Sequence, residues 1–144
     1  MRLALHTDYS LRVLMYLSGC DSRATVLEIS NFYGISRDHV AKVVQRLARL
    51  GYIRSLRGVG GGVELAKSAN KIRIGEVISD IEGNVHLLEC VGSEENICVI
   101  QPGCKLRGVL AEAERIQMQY LNKVKLSDVV KKGQSLVSLT IPTQ

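Results

Sequence analysis

Three of the four cysteines in this chain of 144 residues lie close together in the sequence. Cys90, Cys98 and Cys104 are separated by seven and then five residues, a spacing that differs from the CxxC pairs of zinc ribbons. In a chain without an export signal, clustered thiols favour metal or redox chemistry over structural disulfides. Iron–sulfur clusters accept cysteine ligands at varied spacings. The segment is therefore a candidate site for such a cluster.

The spacing leaves two other chemistries open. Three thiolates could bind zinc if His86 or an acidic residue supplied the fourth ligand. Alternatively, two of the three thiols could form a disulfide and act as a redox switch. Cys20 stands apart beside an apolar helix, where a buried core thiol is the more common role.

The charge is distributed unevenly along the chain. Residues 1–75 carry 12 Lys and Arg against 5 Asp and Glu, whereas residues 76–144 carry 7 against 9. A basic half joined to a weakly acidic half suggests a module for a polyanion such as nucleic acid, although a solvated basic face would look the same. The apolar run from Leu11 to Leu17 is too short to span a bilayer, so a cytoplasmic protein is expected.

The first half of the chain predicts three helices. Thr7 can cap a first helix that ends at Gly19, and the Thr25–Glu28 pair forms a capping box for a second helix that ends at Gly34. Ser36 can cap a third helix, in which apolar residues recur with helical period: Val40, Val43, Val44, Leu47 and Leu50. A tight glycine-containing turn between the last two helices indicates a helix-turn-helix, with residues 36–50 as the recognition helix.

The segment after this helix predicts a wing. Two β-prone runs, residues 52–57 and 63–66, flank a glycine-rich turn and read as a hairpin. The candidate DNA-binding residues are those of the polar helix face and the hairpin: Ser36, Arg37, Asp38, His39, Lys42, Gln45, Arg54, Arg57, Gly60 and Gly61. His39 could equally be an ordinary surface histidine.

The second half predicts a short amphipathic helix over 72–82, a cysteine-containing loop and a longer helix over 105–124. The long helix has apolar residues at coiled-coil-like spacing, namely Leu106, Val109, Ala113, Ile116 and Tyr120. Such a seam favours pairing with a second copy, although packing against its own domain is the alternative. Ser127 could cap one further short helix.

The expected fold is mainly α with a small β-hairpin, a winged helix-turn-helix plus a long C-terminal dimerisation helix. The expected divisions are the DNA-binding domain over 1–83, the cysteine loop over 84–104, the dimerisation and short terminal helices over 105–131, and a tail over 132–144.

Several segments together resemble the Rrf-type winged-helix regulators. They are the opening residues 1–15, the turn at 33–37, the Gly60–Val63 part of the hairpin, residues 72–77, and the cysteine loop leading into residues 104–107. Within that family the chain is most similar to the nitric-oxide-sensing repressors. The seven residues between Cys90 and Cys98 exceed the four or five usual among relatives, which brings Glu94 and Glu95 near the site.

The resemblance implies a homodimer that binds double-stranded DNA and holds an iron–sulfur cluster, 4Fe–4S or 2Fe–2S, through Cys90, Cys98 and Cys104. It implies that nitric oxide destroys the cluster and relieves repression. It also suggests Asp8 of the opposite subunit as a fourth, oxygen ligand. An acid in the first turn of a helix also interacts favourably with the helix dipole, so Asp8 has an ordinary structural role as well.

The sequence thus predicts a transcriptional repressor without catalytic activity. No Ser–His–Asp set, carboxylate pair or nucleotide-binding loop occurs in a convincing context. A regulator that responds to iron or cluster supply is the related alternative. A zinc- or thiol-containing interaction module is the alternative from another class.

Overall fold

Helices and one hairpin make up the fold of the computed structural model, which describes residues 3–83, 85–92, 95 and 98–130. The elements in chain order are α1 Leu5–Gly19, α2 Val26–Tyr33, α3 Arg37–Arg49, β1 Ile53–Leu56, β2 Gly62–Leu65, α4 Ile74–Glu82, α5 Glu89–Gly92, α6 Lys105–Leu121 and α7 Leu126–Val129. Short 3-10 turns occur at Ala69–Lys71 and Gln101–Gly103. The predicted fold class is confirmed. The predicted tail over 132–144 and Glu94 lie outside the described residues.

The core lies between the first four helices, the hairpin and α7, whose Leu126 is fully buried in it. The predicted stripe of α3 is confirmed through Leu47, because Val40, Val43, Val44 and Leu47 are all buried, whereas Leu50 lies at the end of the helix and is exposed. Val13, Leu14 and Leu17 of α1 join them in one apolar cluster. Burying this face against α1 stabilises α3 and leaves its polar face in solvent.

The predicted caps of α2 and α3 are present. The Thr25 hydroxyl accepts from the Glu28 amide at 3.2 Å, and the Glu28 carboxylate accepts from the Thr25 amide at 2.5 Å. Gly34 ends α2 in the left-handed conformation with φ of 63°. Because Ser36 then caps α3, only two residues separate the α2 terminus from that cap, which is the predicted helix-turn-helix.

The hairpin is antiparallel, with Ile53 opposite Leu65 and Leu56 opposite Gly62. Ala24 extends it by one bridge to Val63, with the two N–O distances at 3.0 and 2.8 Å. The loop before α2 therefore holds β2 against the helix-turn-helix. The wing is therefore attached to the helix-turn-helix twice, through the Ala24–Val63 bridge and through its chain connection to α3.

The start of α1 differs from the prediction. The helix begins at Leu5 with Ala4 at the cap position, and Thr7 is buried inside the first turn. The Thr7 hydroxyl has no well-aligned hydrogen bond among the described residues. The Ala4 amide instead donates to a Glu82 carboxylate oxygen at 2.7 Å. A side chain distant in sequence supplies the cap, which local pattern could not reveal.

The later helices differ in their ends. Helix α4 begins at Ile74 rather than Ile72, and α6 ends at Leu121 rather than near Val124. The cysteine loop contains one helical turn, α5, which the sequence did not predict. Helix α7 begins after Lys125, whose amide donates to Asp128 at 2.8 Å, so Ser127 lies inside the turn and does not cap it. No helix within the described ranges is both long and apolar enough to cross a membrane.

Candidate nucleic-acid interface and cysteine loop

The polar face of α3 is open to solvent. All six predicted residues on this helix are exposed: Ser36, Arg37, Asp38, His39, Lys42 and Gln45. The buried residues Val40, Val43 and Leu47 hold the opposite face against α1. This arrangement presents a continuous helix surface of the kind that enters a major groove.

His39 has a defined position at the start of α3. Its Nδ1 atom lies 2.8 Å from the Ser36 hydroxyl oxygen, and its ring centroid lies 6.0 Å from that of Tyr9 in α1. Tyr9 therefore belongs to the surface around the helix start, although its spacing in the sequence carried no such signal. The two contacts limit which way the imidazole can turn.

The wing tip depends on its glycines. A Cβ at Gly61 would lie 2.5 Å from the Leu56 carbonyl oxygen, so the turn cannot accept a side chain without shifting. Gly58 and Gly60 adopt positive φ, at 91° and 73°, and Val59 between them is fully exposed. The glycines thus allow a narrow, protruding tip.

A three-charge cluster fastens the base of the wing. The Glu64 carboxylate accepts from Arg54 on the neighbouring strand at 2.5 Å and from Arg23, in the loop before α2, at 3.0 Å. Arg23 also donates to the Gly60 carbonyl at 3.2 Å. The hydrogen bonds from Arg54 and Arg23 lower the pKa of Glu64. Arg54 is thus paired with Glu64 at the protein surface, and Arg23 supports the wing from the loop before α2, a role that the sequence did not predict.

Lys42 and Arg57 are among the exposed cations that are open to another partner. Neither Lys42 nor Arg57 forms a salt bridge within the described residues, and both are exposed. One lies on the recognition helix and the other at the end of the wing strand. Both are suited to contact phosphates.

Helix α6 holds the beginning of the cysteine loop. Glu114 accepts from the Leu87 amide and lies 2.9 Å from Nδ1 of His86. Two turns earlier on α6, the Arg107 guanidinium donates to the Cys90 carbonyl at 2.7 Å. Despite the opposing effect of partial burial, the contact with His86 and the Leu87 amide lowers the pKa of Glu114.

The three loop cysteines are free thiols in different environments. Cys90 and Cys104 are half-buried and Cys98 is exposed. Cys104 occupies the N-cap position of α6 without a side-chain capping hydrogen bond, one turn before the Arg107 that holds the Cys90 backbone. Within the described residues, no group of three potential ligands is close enough to bind a metal. Three free thiols on one loop are the kind of donor set that iron–sulfur clusters use. Among the described residues these thiols are not gathered into a metal-binding group.

The other candidate ligands lie elsewhere. Asp8 is in the first turn of α1 and forms an ion pair with Arg12 at 3.0 Å, which raises the pKa of Arg12. Cys20 follows the end of α1, where burial and the nearby Glu28 raise the pKa of its thiol. That environment favours the neutral thiol, which is a poor metal ligand. His86 is engaged by Glu114 at one ring nitrogen.

The fold and the sequence both have known counterparts. Residues 3–132 match the Rrf2 family, described as iron-dependent transcriptional regulators. That match covers most of the chain and spans the winged helix-turn-helix, the cysteine loop and α6. The chain belongs to the Rrf2 family. It is therefore a transcriptional regulator.

Individual Rrf2 relatives support this assignment along nearly the whole chain. The transcriptional regulator NsrR of Bacillus subtilis is 39% identical over 141 residues, which cover 96% of this chain and 97% of that protein. NsrR of Shouchella clausii is likewise 39% identical over 141 residues, with 96% and 95% covered. The predicted resemblance is confirmed.

Solved Rrf2 structures share the fold at lower identity. CymR, the global cysteine regulator of B. subtilis, superposes with a TM-score of 0.74 at 21% identity, over 90% of this chain and 95% of that chain. IscR of T. potens gives a TM-score of 0.73 at 17% identity, over 100% and 94%. These likenesses establish the winged-helix architecture.

Proposed function

We propose that this Rrf2 protein is a cytoplasmic, homodimeric repressor whose affinity for double-stranded DNA depends on an iron–sulfur cluster and is lost when nitric oxide destroys that cluster. The similarity to NsrR proteins supports the class of regulator. The observation that carries the proposal is the position of the cysteine loop. Its three free thiols lie on the segment that connects the winged helix-turn-helix to α6.

DNA contact is assigned to the exposed face of α3 and to the wing. Side chains from Ser36 to Gln45 would read the major groove, while Lys42 and Arg57 neutralise phosphates. The tip residues Gly60 and Gly61 let the backbone approach the duplex closely. Arg54 supports the wing through Glu64, and because its Nε atom makes that contact while its side chain is 65% exposed, its terminal nitrogens can meet a phosphate while the pair persists.

Dimerisation is assigned to α6. The seam residues Leu106, Val109, Ile116 and Tyr120 are 59%, 63%, 54% and 67% exposed, and α6 contains no buried residue. In a monomer, this 17-residue helix would leave an apolar face in contact with water, which is unusual for a folded monomeric protein. A second copy packed along this seam would cover it and place two recognition helices on the same duplex, about 34 Å apart.

Cluster binding is assigned to Cys90, Cys98 and Cys104, with Asp8 of the opposite subunit as the fourth ligand. When bound, the cluster supplies iron centres that react with nitric oxide. The Arg107 and Glu114 side chains keep the Cys90 end of the loop on α6. An aspartate oxygen is a harder donor than thiolate, so Asp8 would provide the most labile corner.

A regulator of iron or cluster supply is the second candidate. The description of the Rrf2 family as iron-dependent favours it. The two functions differ in the signal, since a supply sensor loses its cluster on iron limitation under conditions free of nitric oxide.

Anaerobic purification tests the cluster assignment. Visible absorbance with matched iron and sulfide counts is expected for the parent and for Cys20→Ala, which serves as the control. Cys90→Ala, Cys98→Ala and Cys104→Ala should each lose the stable cluster. A colourless parent that contains one zinc ion would instead support a zinc-containing interaction module.

Exposure to nitric oxide tests the signal. Bleaching of the cluster together with release from a DNA duplex is expected for the parent. Asp8→Ala should change the spectrum and the rate of bleaching, whereas Asp8→Cys should keep a cluster with altered spectra. Unchanged DNA affinity after complete bleaching would contradict the proposed repressor.

A further inference from the structure

The last turn of α4, residues 80–82, contacts three other elements through side-chain hydrogen bonds. We refer to these residues as the α4 end. Their chain neighbour Gly83 leads directly into the cysteine loop. The contacts of the α4 end reach the recognition helix, the residue before the first wing strand and the start of α1.

The contact with the recognition helix is made by Arg46. Its guanidinium, in the last turn of α3, donates to the carbonyls of Asp80 at 3.3 Å and Ile81 at 3.1 Å. These are carbonyls at the C-terminus of α4, where the helix leaves acceptors unpaired and where a positive charge is favoured. A movement of the α4 end therefore acts on α3 through a charged, directional contact.

The contact with the wing is made by Tyr52, the residue before β1. Its hydroxyl donates to an Asp80 carboxylate oxygen at 2.5 Å, while its ring is almost fully buried in the core. Burial, reinforced by the hydrogen bond to Asp80, raises the pKa of Tyr52. The phenol therefore remains a donor at neutral pH, and the Asp80 carboxylate fixes the base of the wing.

The contact with α1 is made by Glu82. Its carboxylate accepts from the Ala4 amide at 2.7 Å and caps the helix that carries Asp8. The Thr7 hydroxyl, which lies beside the carboxylate without good hydrogen-bond alignment, and the Ala4 amide lower the pKa of Glu82. Partial burial has the opposing effect. The cap therefore remains charged at neutral pH.

We propose that the α4 end transmits the state of the cysteine loop to the DNA-binding elements, with Tyr52 and Glu82 as positioning residues. The inference rests on the proposed cluster-dependent repressor and adds the route of its control. A loop rearranged by cluster loss pulls on Gly83 and turns residues 80–82, which shifts α3, the wing and α1 together. A helical turn hydrogen-bonded to all three elements is a contiguous connection of the kind that can carry coupling between sites.

The test uses three full-length variants, each compared with the parent in its cluster-loaded and cluster-free forms. Tyr52→Phe removes one hydroxyl and keeps the buried ring, and Glu82→Ala removes the cap of α1. Tyr33→Phe is the matched control, because its hydroxyl donates to the Arg12 carbonyl at 3.0 Å without touching α4. The DNA probe is a duplex enriched from a random-sequence pool by the cluster-loaded parent.

The measured quantity is the ratio of DNA dissociation constants between the cluster-free and cluster-loaded forms. Tyr52→Phe and Glu82→Ala should each lower this ratio by about fivefold, the scale of one hydrogen bond, whereas Tyr33→Phe should leave it unchanged. Hydrogen exchange of the α3 amides gives a second readout. Its difference between the two forms should shrink in the same two variants, with cluster absorbance and thermal unfolding recorded for each.

Each outcome has a definite meaning. A parent ratio above one that persists in Tyr52→Phe and Glu82→Ala would overturn the inference and leave the proposed function intact. An equal loss in Tyr33→Phe would also overturn it, because general loosening would then explain the effect. A parent ratio of one would refute the proposed function itself, and the inference with it.

Discussion

The carboxylate of Glu64 binds two guanidinium groups. It therefore separates the cations near the wing that are paired within the protein from Arg57, which is not paired with a carboxylate of the described residues. Arg54 and Arg23 are held at 2.5 and 3.0 Å, while Arg57 forms no salt bridge in the described part of the chain. Charge alone made Arg54 and Arg57 equivalent. Their neighbours make them different.

Removing an available cation should weaken DNA binding with little effect on stability. Lys42→Ala and Arg57→Ala should each reduce the slope of log affinity against log salt by about one, because each loses one phosphate contact. Lys123→Ala, an exposed lysine beyond the end of α6, is the control and should keep the parent slope. Binding titrations over a salt series measure these slopes. Parent-like slopes in both variants would mean that the groove and wing assignments are wrong.

Adding one methyl group at the wing turn should disturb the wing. Gly61→Ala places a Cβ 2.5 Å from the Leu56 carbonyl oxygen, and relieving that overlap should cost about 1–3 kcal/mol of unfolding free energy. DNA affinity should fall as well. Gly103→Ala is the control, since a Cβ there meets nothing within 4 Å. Chemical denaturation checks the first effect, and equal stability of the two variants would contradict it.

At the scale of elements, α1 is held at its two ends by different means. Its N-terminus is capped by Glu82 from α4. At its C-terminus the Cys20 amide donates a hydrogen bond to the Tyr16 carbonyl at 3.2 Å. A helix whose cap comes from another element depends on the tertiary structure for its first turn. Such a turn is sensitive to the ionisation of the capping group.

The Glu82 cap should therefore make stability depend on pH. Because the pKa of Glu82 is lowered in the folded protein, its contribution is present above the ordinary glutamate pKa and is lost as the pH falls through the lowered value. Glu82→Gln should show a shallower decline of Tm than the parent between about pH 5 and pH 3, around the glutamate range. Thermal unfolding followed by circular dichroism measures this, and parallel declines would contradict the assignment.

At the scale of the whole molecule, α6 is the element that one copy leaves uncovered. Its loop-facing residues Arg107 and Glu114 are used within the chain, whereas its apolar seam faces solvent. The same helix thus contacts the cysteine loop on one side and leaves its apolar seam exposed on the other. The proposed cluster site and the proposed dimer surface would share this helix.

A charge in the seam should prevent assembly. Ile116→Glu puts a carboxylate where we propose the partner helix packs, and burial of that charge is strongly unfavourable. Gln119→Glu, exposed on the same helix but outside the seam, is the matched control. Sedimentation at micromolar concentration should show a monomer for the first variant and a dimer for the second and the parent. A monomeric parent, free and on DNA, would end the dimer assignment.

Elements whose signals are local could be predicted from the chain alone. The Thr25–Glu28 box, the Ser36 cap and the α3 stripe through Leu47 each lie within a few turns of chain, so periodicity and capping chemistry were sufficient. The Rrf2 membership also followed from short motifs spread along the chain.

Contacts between residues that are distant in sequence could not be predicted from the chain alone. Glu82 lies 78 positions from Ala4, Glu64 lies 41 from Arg23, and Tyr52 lies 28 from Asp80. No periodicity relates such pairs, because each depends on how separate elements pack. For the same reason local pattern favours Thr7 as the cap of α1, whereas the structure places the cap on Glu82 of α4. Interactions between neighbours in the chain follow from backbone geometry and can be predicted from sequence. Interactions between separate elements follow from how those elements pack and cannot.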